Sequence, residues 1–163
     1  MRGNTARIER VGGDILKTID FNSPTTQIIN AFLKPYYPVG DIEPIVAHEV
    51  RALDILAEYG IAPIVKNYGR DFIQMSYVGE RTNSVPEAQI EHIVSVLNET
   101  DIVHNDLVFK GLLRNCTMLD GSVYLIDFQL ASIMGIPPVE DIRKRFWRAN
   151  YDSDEKQLGV SNG

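Results

Sequence analysis

The sequence predicts a small α+β protein of two lobes, strand-rich in front and helical behind. Three observations carry that expectation. The elements run hairpin, helix, two strands, helix, loop, hairpin, helix, with no strand–helix–strand alternation long enough for a doubly wound sheet. Neither GxGxxG nor GxxxxGK[ST] occurs, so the usual glycine-rich nucleotide loops of such sheets are missing. The 163 residues, 44% hydrophobic and 23% charged, are enough for one self-sufficient core. The expected layout is a single domain over 1–151, with a front lobe to about 78, a hinge at about 79–83 and a rear lobe over about 84–151. The polar residues 152–163 are expected to form a flexible tail.

Each element has a local cause. Ala6 to Val11 and Asp14 to Ile19, rich in β-branched residues, flank Gly12-Gly13 and read as a hairpin. Residues 22–44 carry Pro24, Pro35, Pro38 and Pro44, which leaves room for one short helix, Gln27 to Leu33. From Ile45 to Tyr59 the apolar Val46, Val50, Leu53, Leu56 and Ala57 recur at three- and four-residue spacing, an amphipathic helix stopped by Gly60. Strands are expected over Ile61 to Tyr68 and Asp71 to Val78, then a polar connector from Gly79 to Asn83. Ser84-Val85-Pro86-Glu87 reads as a capping box opening a helix through Ile90, Ile93, Val94 and Leu97. Asp120-Gly121 signals a hairpin between Cys116–Leu119 and Ser122–Ile126. A last helix, Val139 to Ala149, is acidic at its start and basic at its end, as the helix dipole favours.

Composition narrows the function. A net charge of −6 argues against a nucleic-acid-binding module, which needs a basic footprint. No apolar run approaches the ~20 residues that span a bilayer, and the opening MRGNTARIERVGG has no apolar core of a signal peptide. Cys116 is the single cysteine, so neither an internal disulfide nor a cysteine zinc cluster can form. The expectation is a soluble cytoplasmic protein without nucleic-acid or membrane partners.

The chemistry concentrates in His104-Asn105-Asp106-Leu107, Arg114-Asn115-Cys116 and Leu125-Ile126-Asp127-Phe128-Gln129. Two carboxylates and an amide stand beside apolar runs that can hold them rigidly. Phosphoryl transfer uses such a set: one carboxylate orients the attacking hydroxyl, while an Asn and a second carboxylate hold magnesium. A metallohydrolase built from His48, Glu49, His104, Asp106 and Asp127 is the other reading of these residue types, but the spacing fits no HExxH pattern.

At these residues the chain resembles the protein-kinase-like superfamily. His104-Asn105-Asp106-Leu107 is similar to its His-Arg-Asp-Leu loop, and Asp127-Phe128-Gln129 to its Asp-Phe-Gly. The LIDF wording after a hairpin is similar to small atypical kinases of the RIO type and to sugar and aminoglycoside kinases. Lys17 stands where the family keeps its phosphate-binding lysine, with Lys34 as a competitor, and Glu49 where its partner glutamate lies. Phe72 to Gly79 resembles the last small-lobe strand running into the hinge.

The resemblance implies a miniature protein-kinase-like fold that binds ATP and magnesium. Lys17 would hold the α/β-phosphates, Glu49 would orient Lys17, and Asp106 would orient the acceptor hydroxyl. Asp127 and Asn115 would hold metal, and Met75, Tyr77 and Val78 would line the adenine site. Departures are also plain. The family's Asn falls five positions after the catalytic Asp, where this chain has Gly111; Asn115 is nine positions on, which implies a four-residue insertion. Asn105 replaces the Arg that reads activation-loop phosphorylation, and the glycine loop is reduced to Gly12-Gly13. An atypical Ser/Thr protein kinase is the first expectation. A pseudokinase that binds a protein partner and a small-molecule kinase are the alternatives, and a homodimer is compatible with so small a rear lobe.

Overall fold

A computed structural model describes residues 5–38, 40–109, 112–146 and 158 of the chain. Strands β1 (Ala6–Val11) and β2 (Asp14–Ile19) pair antiparallel, with Val11 opposite Asp14 across the Gly12-Gly13 turn. On its other side β2 pairs with β4 (Phe72–Ser76), and β3 (Val65–Tyr68) completes an antiparallel sheet ordered β1-β2-β4-β3. β3 is shorter than the run Ile61 to Tyr68. Pro63 has no N–H to give a ladder, and the Ile61 carbonyl is taken by the Leu125 N–H at 2.7 Å. That bond ties the front sheet's entry to the rear of the molecule.

Helix α1 (Pro24–Leu33) starts three residues before the expected Gln27. Pro24 begins the helix instead of breaking it, because the first turn needs no proline N–H, and the Ser23 side chain accepts the Thr26 N–H. A single 3-10 turn, Lys34–Tyr36, follows. Helix α2 (Pro44–Ala57) buries Ile45, Val46, Val50, Leu53 and Leu56, and on the same inward side two polar groups, His48 and Glu49. Burying them demands partners, and both have them.

The expected connector holds a strand. β5 (Glu80–Arg81) pairs with β9 (Cys116–Leu119), which pairs with β10 (Ser122–Leu125). Gly79 makes this possible: at φ 95° its backbone lies so close to β9 that a Cβ would sit 1.9 Å from the Met118 carbonyl oxygen. Only glycine fits there.

Helix α3 (Glu87–Thr100) follows, and here one expectation is corrected. Its N-cap is Pro86 and no side chain caps it. Ser84 and Thr82 are instead engaged with each other, the Ser84 N–H donating to Thr82 Oγ1 at 3.1 Å and the Thr82 hydroxyl to the Ser84 carbonyl at 3.0 Å. A local turn has out-competed the capping box. Asp101 then closes α3 in the left-handed conformation.

The remaining short strands pair as β6 (Ile102–Val103) with β11 (Ser132–Ile133), and β7 (Val108–Phe109) with β8 (Leu112–Leu113). Helix α4 (Val139–Phe146) carries Glu140 and Asp141 in its first turn and Arg143, Lys144 and Arg145 in its last. Its expected continuation to Ala149 lies outside the described residues, as do Gly111 and the expected tail, apart from Leu158, which packs half-buried against the core. One apolar cluster joins front and rear: Leu33, Ile45, Leu53 and Ile73 are continuous with Ile102, Leu107, Leu125, Phe128 and Ile133. Among the described residues no helix is long and apolar enough to cross a membrane.

Candidate active site

Strand alternation turns Lys17 and Ile19 inward from β2, so the ammonium enters the core beside α2. Glu49 meets it from the buried face of α2, one turn from Val46 and Leu53. Lys17 Nζ donates to Glu49 Oε1 at 2.8 Å and Oε2 at 3.0 Å, and to Asp127 Oδ1 at 2.7 Å. Lys17 and Glu49 are 2% and 1% exposed, which makes theirs a desolvated ion pair and not a surface one, with the half-buried Asp127 reaching it from the side. Burial by itself would lower the lysine pKa, but Asp127 and Glu49 outweigh it and raise it, so Lys17 stays charged.

Asp127 follows β10 with φ 60°, a left-handed bend that swings its carboxylate off the strand. Phe128, fully buried and tilted against His104 at 4.9 Å, anchors that bend, and its N–H donates to Glu49 Oε2 at 3.3 Å. Burial would raise the Asp127 pKa. Lys17 and then Arg81 overcome it and hold the carboxyl well below the usual carboxylate range.

The loop after β6 places a second group of donors. His104 Nδ1 accepts the Asp106 N–H at 3.1 Å, which puts the ring proton on Nε2, 2.8 Å from the Ile126 carbonyl it donates to. His104 thereby clamps the Asp106 loop to the Asp127 strand. Asn105, at φ 70°, donates to the Leu130 carbonyl at 2.9 Å and steadies the same loop. Asn115 Nδ2 donates to the Asp106 carbonyl at 2.7 Å and to Asp106 Oδ2 at 3.1 Å. The nine-position gap between Asp106 and Asn115 is absorbed by β7 and β8, which fold back on themselves and return the chain, with the Arg114 N–H on the Leu107 carbonyl at 2.8 Å. Burial raises the Asp106 pKa, partly countered by His104 and Arg114.

Arg81 joins the two groups. From β5 its Nη2 donates to Asp127 Oδ2 at 2.9 Å and its Nη1 to Asn115 Oδ1 at 3.3 Å. In the sequence Arg81 falls inside the polar connector from Gly79 to Asn83. Its one signal there is position, one residue beyond Glu80 after the hinge glycine, and the pairing of β5 with β9 that aims it is not legible in local pattern.

Lys17, Glu49, Arg81 and Asp127 floor a cleft of about 410 Å³ between the front sheet and the β9–β10 region, and Asp106 and Asn115 stand just beyond its lining, joined to it through Arg81. Met75, Tyr77 and Val78 line it from the hinge side, with Ile8 and Ile15 above and Ile126 below. Thr117 Oγ1 donates to the Val78 carbonyl at 2.7 Å and holds the hinge against β9. The Arg10 guanidinium stacks 3.7 Å above the Tyr77 ring, while the Tyr77 hydroxyl donates to Glu80 at 2.8 Å. The strand β1 is thus fastened over the mouth of the cleft. An apolar slot with charged groups at one end is the usual form of a nucleotide-sized site.

Other candidates stand elsewhere. Lys34 lies exposed on the 3-10 turn. Both His48 nitrogens are engaged, Nδ1 with the Tyr37 hydroxyl and Nε2 with the Ala131 carbonyl at 2.7 Å, so His48 has no lone pair for a metal. Among the described residues no group of three or more His, Cys, Asp or Glu could hold a metal ion. Asp127 Oδ2 and Asn115 Oδ1 nonetheless converge on one cation, the Arg81 guanidinium, and two oxygens suit magnesium, which takes its other ligands from water and phosphate.

No family model and no curated protein matches the sequence. Among solved structures, the chain is similar to the Rio2 kinase–ADP/Mg2+–phosphoaspartate complex from Chaetomium thermophilum, with a TM-score of 0.51 and 17% identity. The match takes in 100% of this chain and 56% of that one, so the protein spans little more than half the length of its structural neighbour. With an antiparallel front sheet, α2 packed beneath it and a cleft behind the hinge, the chain has a protein-kinase-like fold.

Proposed function

We propose that the protein is an ATP- and magnesium-dependent phosphotransferase that moves the γ-phosphoryl group to a hydroxyl, of the atypical Ser/Thr protein kinase type. The observation that carries this reading is the buried Lys17–Glu49 pair, joined by the half-buried Asp127, at the floor of a cleft whose other wall is the hinge. A scaffold has no physical need to desolvate a lysine–glutamate pair beside a cavity and aim a third charge at it.

In this reading the adenine lies against Met75, Tyr77 and Val78. Lys17, kept charged and aimed by Glu49, binds the α/β-phosphates. Asp127 and Asn115 hold the metal, which when bound neutralises charge developing on the phosphates. Asp106 accepts the hydroxyl proton as the acceptor oxygen bonds to the γ-phosphorus and the bond to the bridging oxygen of ADP breaks. Its raised pKa suits that task, and His104 and Asn115 fix its position. Support comes from the fold shared with Rio2 kinase, whose complex holds ADP and Mg2+.

A second reading, a pseudokinase that binds a protein partner, is favoured by Arg81, because its guanidinium already occupies an oxygen of each metal donor, Asp127 and Asn115. Two measurements separate them. Melting temperature is recorded with ATP, with and without magnesium, for wild type and Asp127→Asn, and phosphate transfer from γ-labelled ATP to a general acceptor protein is followed. The enzyme reading expects a magnesium-dependent rise that Asp127→Asn loses, and turnover that Asp106→Asn abolishes while nucleotide binding persists. A shift without turnover selects the pseudokinase; no shift under any condition refutes the nucleotide site.

A further inference from the structure

Four charged groups meet at the end of the cleft, and only one of them is free to leave. Lys17 is locked by three oxygens, Glu49 is buried on α2, and Asp127 Oδ1 is spent on Lys17. Arg81 differs: its side chain is 60% exposed and springs from a two-residue strand next to the hinge, yet it ends on Asp127 Oδ2 and Asn115 Oδ1. Those are the two oxygens that the proposed reaction assigns to the metal.

We infer that Arg81 is a resident counter-ion that keeps the metal site closed until nucleotide arrives. A divalent ion can bind Asp127 only through Oδ2, because Oδ1 faces the Lys17 ammonium at 2.7 Å. A guanidinium 2.9 Å from the same oxygen repels that ion, so the two cannot share it. Metal alone must therefore displace Arg81 from both oxygens, while the other carboxylates lining the cleft are already engaged: Glu49 with Lys17, Glu80 with the Tyr77 hydroxyl at 2.8 Å and Glu9 with Arg7 at 4.0 Å. Metal arriving with a nucleotide brings phosphate oxygens, and the planar fork of arginine binds phosphate in paired hydrogen bonds. Arg81 then exchanges the carboxylate–amide pair for a phosphate, and metal and nucleotide bind as one unit. Asn115 needs no rearrangement, since its amide nitrogen stays on Asp106 while its oxygen changes partner.

The inference rests on the phosphotransferase reading, and its test separates the two. Manganese is the probe, followed by the paramagnetic resonance of the free ion, with wild type, Arg81→Gln, Arg81→Lys and Arg81→Gln/Asp127→Asn. Far-ultraviolet circular dichroism confirms that each is folded. Without nucleotide, wild type and Arg81→Lys should leave manganese free, since both keep the charge. Arg81→Gln should bind it at least tenfold more tightly, and the double variant should lose that gain. With ATP present, wild type should bind manganese, and Arg81→Gln should bind the pair with less mutual reinforcement.

If Arg81→Gln takes up manganese no better than wild type while both bind manganese–ATP through Asp127, the counter-ion role is wrong and the phosphotransferase reading stands. If Arg81→Lys opens the site as Arg81→Gln does, charge is not the cause and the inference also fails. If no protein binds manganese or ATP in any combination, the reading of the site falls, and the inference with it.

Discussion

Replacing Glu49 with leucine removes the carboxylate that receives two hydrogen bonds from Lys17 and one from the Phe128 N–H. Breaking a buried ion pair by deleting one partner costs about 3–5 kcal/mol. Within that sum an unsatisfied buried N–H, here that of Phe128, accounts for about 1–3 kcal/mol. Asp127 stays 2.7 Å from Lys17 and still compensates part of its charge, which places the loss near the lower end, about 3 kcal/mol. Removing both charges, as Lys17→Met/Glu49→Leu, should cost less than the two single changes added, with a coupling of about 1–3 kcal/mol. Urea unfolding followed by circular dichroism measures all four corners of the cycle. A Glu49→Leu loss under about 1 kcal/mol, or strict additivity, would show that the two side chains do not form a desolvated pair and would refute the reasoning.

Three further outcomes follow from the same packing. Gly79→Ala forces a Cβ to within 1.9 Å of a β9 carbonyl at φ 95°, so thermal melts should show a loss of about 3 kcal/mol or more from strain and overpacking together. Phe128→Ala empties a fully buried ring site and should cost about 3–5 kcal/mol in urea unfolding. Burial first, and the nearby Arg51 second, lower the His48 pKa from 6.5 to about 4 against the Ala131 carbonyl bond. A depressed folded pKa means stability present above the unfolded value and lost as pH falls from 6.5 toward 4. Between pH 8 and pH 5 the loss should be about 2 kcal/mol, and His48→Gln should flatten that part of the profile.

The local chemistry of the chain explains which elements are legible in its sequence. Gly12-Gly13, Asp120-Gly121 and the apolar spacing of α2 are short-range signals, and each element they announce is present. Pro24 and Ser84 mislead for the same reason: whether a proline opens or blocks a helix, and whether a serine caps or turns, depends on competing bonds nearby. The strands β5, β6, β7, β8 and β11, two residues each, are too short for any periodicity; β5, β6 and β11 exist through partners distant in sequence, while β7 and β8 pair with each other. Lys17, Glu49, Asp106, Asn115 and Asp127 could be named from an ordered set of landmarks. Arg81 could not, because its role depends on a β5–β9 pairing that sets it opposite Thr117, far along the chain, and so beside Asn115.

The β7–β8 excursion has a practical corollary. Both ends of it are held independently of its tip, by the Arg114–Leu107 bond and by the two hydrogen bonds Asn115 makes to Asp106. The spacing of Asp106 and Asn115 in space is thus insulated from their spacing along the chain. Loop closure grows only slowly in cost with added length, so the β7–β8 hairpin at Leu112, itself 61% exposed, is a port where a fluorophore or a foreign peptide could be spliced. Such a reporter would leave the hydrogen bonds that join Asn115 to Asp106 in place.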